Sequence, residues 1–290
     1  MTPQSRPSSS KSALSRAPQS APITSRENHW LKLFRAVLHS SRPEDERIGL
    51  EGVRLVSDAV RSGLELEAIL ASASAEKSLA ALLTELDRPT LILRTTDKLF
   101  DSVADTETPQ GIAALLRAPQ FAFDDLLRGG DPLIVVLVGV QDPGNVGTIL
   151  RSAEALGATG VIAAKGAAHP YSPKSLRASA GSALRLPTLC ELAAPVALAQ
   201  LRVSGLQIVA ASSPKNSGAR DPNEFNFRQP VAILIGNEGA GLPPEIERSA
   251  DALIRIQLAE PVDSLNAAVA ASLILYEAAR QRRLSNGAGQ

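Results

Sequence analysis

An α/β fold built on a mostly parallel sheet is predicted for residues 132 to about 283, on three observations. Apolar, β-branched runs of strand length recur near 133–139, 160–164, 207–211, 231–235 and 253–257. Helical patterns alternate with them near 146–156, 173–180, 194–203 and 264–281. Polar turns carrying Gly, Pro, Asn or Asp close the strands. Runs that are apolar along their whole length suit strands covered on both faces, and strand–helix alternation is what parallel crossovers require.

Upstream, His29 to about Ala118 reads as a second, smaller α/β unit. Trp30, Leu33, Phe34 and Val37 recur at helical spacing, as do Leu55, Val56, Ala59 and Val60 before the helix stop Gly63. Short strands are expected around Ala68-Ile69-Leu70 and Leu91-Ile92-Leu93, with Gln110 to Leu116 as the strand that closes the unit. Nothing there has catalytic spacing. The division expected is a basic tail over 1–26, an N-terminal domain over 27–118, a linker over 119–131, a main domain over 132–284 and a short tail over 285–290. The first tail holds Arg6, Lys11, Arg16 and Arg26 without an acidic residue, and is expected to be disordered. Pro3, Pro7, Pro18 and Pro22 oppose the amphipathic helix of an organelle-targeting peptide.

Composition excludes several classes of function. Lys plus Arg equals Asp plus Glu at 30 each, so any nucleic-acid surface must be local. A lone Cys190 rules out an intrachain disulfide and a Cys-cluster metal site, and His29, His39 and His169 are too scattered to predict a zinc centre. No apolar run approaches the ~18 residues of a membrane span, and no signal-peptide core follows the N-terminus. A soluble, cytoplasmic protein without a resident metal is expected.

Three strand-end loops carry the chemistry. The first runs Gln141-Asp142-Pro143-Gly144-Asn145-Val146-Gly147 into a helix whose apolar stripe is Ile149, Ala153 and Leu156. Arg151 lies about 200° around that helix from Ile149, so it faces a cleft, a partner or open solvent. In the second loop, Gly236-Asn237-Glu238-Gly239-Ala240-Gly241-Leu242, three glycines in six positions let backbone approach a ligand closely. It matches neither the dinucleotide fingerprint nor a phosphate-binding P-loop, and Glu238 favours a neutral or cationic ligand. The third, Glu260-Pro261-Val262-Asp263-Ser264-Leu265-Asn266, enters a long helix with Asp263 or Ser264 as the expected N-cap. Asn266 is then expected one turn inside that helix, where a poor helix former implies a hydrogen-bonding duty. Leu265, Val269, Leu273 and Tyr276 are expected to form the buried stripe. Strand ends of a parallel sheet converge, so one site should hold all three loops.

Together these loops resemble the signature motifs of the SpoU/TrmH family of RNA ribose 2′-O-methyltransferases, in the knotted SPOUT class. The matching stretches are Asp142 to Gly147 with Arg151, Gly236 to Leu242, and Val262 to Asn266, with Ser172 to Ser182 similar to the family's intervening segment. Glu51 to Val56 and Thr108-Pro109-Gln110-Gly111 look like the family's ribosomal-protein-like RNA-binding domain. The resemblance implies a C-terminal parallel-sheet domain with a trefoil knot that holds S-adenosylmethionine. Gly236, Ile256 and Leu265 would meet that cofactor largely through backbone, with Leu258, Ile235, Asn237 and Gly241 completing the pocket. The implied catalytic set is Arg151, Asn145, Glu238, Ser264 and Asn266. Of these, Asn145 and Arg151 would meet the RNA, and Glu238, Ser264 and Asn266 would order the loops. The resemblance further implies a homodimer whose sites are completed by partner residues, acting on RNA, with ribosomal RNA preferred over transfer RNA. Guanidinium groups stay protonated in proteins, so Arg151 is expected to position the ribose 2′-hydroxyl rather than act as a base. Three rival readings stay open on sequence: a non-catalytic RNA-binding relative, a nucleotide-binding metabolic enzyme, and a base methyltransferase on the same fold.

Overall fold

A computed structural model of the chain describes residues 21–212 and 218–287, with side chains to 283. Residues 1–20 of the tail expected over 1–26, and 288–290 of the tail expected over 285–290, lie outside the described residues.

The N-terminal unit is a four-stranded sheet of β1 (Arg47–Glu51), β2 (Leu66–Ser72), β3 (Leu91–Thr95) and β4 (Ile112–Arg117), in the order β1-β4-β2-β3. β4 runs antiparallel to both neighbours, and β2 and β3 are parallel. Successive residues of β2 face opposite sides. Ala68 and Leu70 pack with α1 (His29–His39) and α4 (Asp97–Asp101), while Ile69 and Ala71 pack with α2 (Val53–Arg61) and α3 (Glu76–Glu85).

The main unit is a six-stranded sheet, parallel throughout, in the order β10-β8-β9-β5-β6-β7. Its strands are β5 (Leu133–Leu137), β6 (Gly160–Ala164), β7 (Thr188–Leu192), β8 (Gln207–Ala211), β9 (Val231–Ile235) and β10 (Ala252–Ile254). Every residue of β5 and β9 is buried. Leu133, Val135 and Leu137 face the layer of α6 (Pro143–Ala155), α7 (Pro173–Ser179), α8 (Ser182–Arg185) and α11 (Ala267–Gly287). Ile134 and Val136 face the layer of α5 (Phe123–Leu126), α9 (Ala194–Val203) and α10 (Pro244–Arg248). That two-sided cover is why these strands read as unbroken apolar runs. At Gly147 a Cβ would lie 2.4 Å from the Ser175 carbonyl oxygen, so the glycine is what lets α6 and α7 touch. The two units share one apolar core and are bridged by ion pairs of Asp105 with Arg177 (2.9 Å) and Arg42 with Glu191 (3.1 Å).

Several expectations need correction. Residues 21–26 do not belong to a loose tail, because Ile23 is buried at the edge of β3. Its N–H donates to the Arg94 carbonyl (2.7 Å), and its own carbonyl accepts from the Thr95 hydroxyl (3.0 Å). A composition average over 26 residues hides one apolar anchor. The 119–131 segment is not bare linker either. It contains α5, whose start is fixed by Asp125 accepting from the Ala122 N–H (2.7 Å) and whose Leu126 is fully buried. Helix α11 runs on to Gly287, into the expected C-terminal tail. β10 stops at Ile254, short of the 253–257 expected. Strands β1 and β7 were not foreseen; the apolar pattern of β1 is broken by Gly49 and flanked by Arg47 and Glu51, and β7 is a half-exposed edge strand with little apolar contrast.

The buried face of α11 is also not the expected one. Ala267, Ala268, Ala271, Ile274, Leu275 and Ala278 turn inward, whereas Val269, Leu273 and Tyr276 are 47%, 45% and 55% exposed. The close approach of α11 to α6 admits a face of mostly small residues, so alanine wins the interior and the larger side chains are left outside.

Candidate active site

The carboxyl ends of β8, β9 and β10 open onto one cavity of about 340 Å³. All seven residues assigned to a cofactor line it: Ile235, Gly236, Asn237 and Gly241 from the β9 loop, and Ile256, Leu258 and Leu265 from the segment between β10 and α11. Ser264 and Glu238 line it too. Sequence reasoning missed Ala211 and Ser212, at the end of β8, and Ala267, Ala270 and Ile274 on α11. The strand-end rule that found the other loops could have flagged Ala211 and Ser212. The α11 residues carried no signal, because they lie behind the apolar stripe to which burial had been assigned.

The glycine loop is held by its own atoms. Asn237 exchanges both backbone hydrogen bonds with Gly241 (3.0 Å each), and its Oδ1 accepts from the N–H groups of Gly239 and Ala240 (2.9 Å each). Its Nδ2 donates to the Gly139 carbonyl (2.9 Å), which ties this loop to the one after β5. A Cβ on Gly236 would sit 2.5 Å from the Gly241 carbonyl carbon, so only glycine allows the loop to close. Gly241 itself adopts φ +70°, a conformation that L side chains rarely take.

Beside the cavity, three side chains from the three loops form one hydrogen-bonded chain. Asn145 Nδ2 donates to Glu238 Oε1 (2.7 Å), and Asn266 Nδ2 donates to Asn145 Oδ1 (2.9 Å). Asn266 Oδ1 accepts from the N–H groups of Ala268 (2.8 Å) and Val269 (3.3 Å). Asn266 is therefore itself the N-cap of α11, rather than Asp263 or Ser264, and it does not lie inside the helix. Its expected hydrogen-bonding duty is real, although the reason given for it was not: the same amide caps the helix and holds Asn145. Burial pushes the Glu238 carboxyl up, but Asn145 and the backbone N–H groups of Glu238, Gln141 and Asp142 outweigh it, leaving the group below the usual carboxylate range. Asp142 caps α6 by accepting from Gly144 N–H (2.6 Å) and pairs with Lys174 (2.9 Å), which together hold its carboxyl low.

Arg151 stands apart from this group. It is exposed on α6 and lines a second cavity, between the two units, together with Arg54, Arg177 and Gln110. The lone thiol, Cys190, is pushed up to about 12 by burial and by Glu191, and lines neither cavity. Among the described residues there is no cluster of metal-ligating side chains and no helix long and apolar enough to cross a membrane.

A family model described as the SpoU rRNA Methylase family matches residues 132–276, the stretch that contains all three loops. The chain belongs to the SpoU rRNA methylase family. A second model, described as an MRM3-like substrate binding domain, matches residues 37–114. Among SpoU relatives, the chain is 36% identical to the 23S rRNA (uridine(2479)-2′-O)-methyltransferase of Streptomyces viridochromogenes, over 92% of this chain and 94% of that one. It is 28% identical to the 23S rRNA (guanosine(2553)-2′-O)-methyltransferase RlmP of Bacillus subtilis, over 85% and 93%. In structure it is similar to the SpoU methyltransferase AviRb of Streptomyces viridochromogenes in complex with AdoMet. The TM-score is 0.80 and the identity 33%, over 89% of this chain and 99% of that one. An AdoMet-bound rRNA methyltransferase from Sinorhizobium meliloti gives a TM-score of 0.76 at 31% identity, over 90% and 97%.

Proposed function

We propose that this protein is an S-adenosylmethionine-dependent RNA ribose 2′-O-methyltransferase acting on ribosomal RNA. The observation that carries the reading is the meeting of the three motif loops. The glycine loop and the 255–266 segment wall one cavity, and Glu238 in that wall is linked through Asn145 to Asn266. The cavity fits the donor. Its volume lies in the range of small-molecule pockets, Ile254, Ile256, Leu258, Leu265 and Ile274 offer apolar wall for a base, and Glu238 contributes negative charge toward a sulfonium. When bound, the donor supplies a methyl carbon on a positively charged sulfur, open to in-line displacement. The same reading takes the 236–242 loop and the 255–266 segment as the crossing of the family's trefoil knot.

Every other task falls to the chain's own residues. Glu238 and Asn266 fix both ends of the Asn145 amide, so Asn145 presents one geometry to the RNA. Arg151 holds the acceptor 2′-oxygen and stabilises the negative charge that grows on it, while an RNA phosphate takes the proton. Positioning of this kind accounts for about 7–11 kcal/mol of barrier in well-oriented reactions. Since Arg151 does not line its own protomer's cavity, the reading requires a homodimer in which Arg151 serves the partner's site. The exposed apolar patch of Val262, Val269, Leu273 and Tyr276, on and just before the helix packed against α6, supports such an interface.

The test is labelled methyl transfer from S-adenosylmethionine to RNA from cells lacking this protein, followed by mapping of the product. A single 2′-O-methylated ribosomal nucleotide is expected, lost in Arg151→Ala while donor binding persists. A methyl group on a base, or a purified protein that binds no donor, refutes the reading.

A further inference from the structure

The cavity between the two units, about 410 Å³, is lined by Arg54 and Gln110 from the N-terminal unit and by Arg151 and Arg177 from the main one. Its shape follows from two glycine motifs that the proposed chemistry leaves unused. Gly52 takes φ +99° at the start of α2, where no side chain of its own caps the helix. Instead Gln110 Oε1 accepts from the Val53 N–H (3.1 Å). Gly111, at φ +72°, lets that loop pass over β2, since a Cβ there would lie 2.3 Å from the Ser72 hydroxyl. With Oε1 occupied, the two Nε2 donors of Gln110 are what this amide offers to the cavity.

The charges are unequally committed. Glu51 and Asp58 also line the space, and of the two it is Glu51 that is committed by hydrogen bonds. Glu51 is buried and accepts from the Asp105 N–H (2.8 Å) and the Thr106 hydroxyl. Asp58 lies within Coulombic reach of Arg185, whose own ion pair is with Glu154 (2.7 Å), so one carboxylate of the cleft is balanced by its three arginines. On the cationic side, Arg177 is oriented by Asp105 (2.9 Å), whereas neither Arg54 nor Arg151 has an ion pair or hydrogen bond among the described residues. Two free guanidinium groups and an oriented amide, facing one another across an open cleft, form a seat for a polyanion rather than a structural salt bridge.

We infer that this cleft seats the RNA backbone next to the acceptor nucleotide, with Arg54 as a phosphate contact on the N-terminal unit and Gln110 and Arg177 as its neighbours. The inference rests on the proposed RNA methyl transfer and adds to it the path by which the substrate reaches Arg151. Because the two units share a core, the cleft is a fixed gauge: it sets the distance between the phosphates gripped at Arg54 and the ribose held at Arg151.

The experiment measures binding of the full-length protein to a mixed-sequence single-stranded RNA oligonucleotide across a range of potassium chloride concentrations. Wild type is compared with Arg54→Gln and Arg54→Lys. The Arg54 side chain is exposed and has no partner among the described residues, so both variants should keep the wild-type Tm and donor affinity. Arg54→Gln is expected to bind RNA more weakly and to reduce the slope of log affinity against log salt by about 0.7, the loss of one single-strand phosphate contact. Arg54→Lys is expected to keep the slope. Wild-type affinity and slope in Arg54→Gln would overturn the inference. If wild type itself neither binds the donor nor methylates RNA, the proposed function fails instead, and the two failures are told apart by that control.

Discussion

Replacing Asn266 tests the site most directly, because one amide does two separable things. Its Oδ1 caps α11 through Ala268 and Val269, and its Nδ2 holds Asn145. Asn266→Ala loses both. A lost N-cap costs about 1 kcal/mol, and the bond to Asn145, made at an exposed residue, adds only about 0.5 kcal/mol. At about 2–4 °C per kcal/mol for a domain of this size, Tm should fall by about 3–6 °C. Asn266→Asp separates the two roles. A carboxylate caps as well as an amide does, so stability should stay near wild type. It cannot donate to Asn145 Oδ1, however, and it places a negative charge next to the residue that already contacts Glu238. Methyl transfer should therefore fall at least tenfold in both variants, while only the alanine variant melts early. Thermal denaturation beside a methyl-transfer assay reads both quantities. Equal Tm values for Ala and Asp would refute the capping role, and full activity in Asn266→Asp would refute the claim that Asn145 must be held from this side.

Three further outcomes follow from contacts at the same loops. Gly236→Ala pushes a methyl group into the backbone of Gly241 and Leu242, so donor affinity measured by calorimetry should drop more than tenfold with the circular dichroism spectrum retained. Gly147→Ala gains about 1 kcal/mol of helix propensity, but its Cβ meets Ser175 and Ser179 backbone atoms at 2.4 and 2.9 Å. Overpacking of that kind costs about 1–3 kcal/mol, so a net fall in Tm is expected, and a rise would show that α6 and α7 separate freely. Glu238 has a folded pKa held below its ordinary 4.5, so its stabilisation is present above about 4.5 and is lost as pH falls through the lower folded value. The Tm advantage of wild type over Glu238→Gln should accordingly be seen at neutral pH and vanish in acid; a gap that does not change with pH would contradict the sign.

Much of the main unit was legible in the order of its residues. β5 and β9 are apolar at every position because helices cover both faces, and Pro, Gly and Asn mark where those strands stop. The place of the cavity was legible for a related reason: strand ends of a parallel sheet converge, and the three polar loops sit at strand ends. The sequence did not say which polar atom meets which. Asn266 looked like a residue inside a helix, because the boundary of α11 was drawn at Asp263 or Ser264. Only the packed structure puts the boundary at Asn266 and turns its other end onto Asn145, which is 121 residues away.

Local pattern therefore determined most of the strands and helices and the chemical content of the loops, since each depends on near neighbours and on burial averaged over a short window. Tertiary structure alone decided the inward face of α11, where the closeness of α6 favours alanine over leucine. It also decided the capture of Ile23 at a sheet edge, and the position of Arg151 in the cleft between the units rather than in the pocket beside its own loop. Those outcomes depend on distances between segments remote in the chain, and no periodicity along a single segment carries that information.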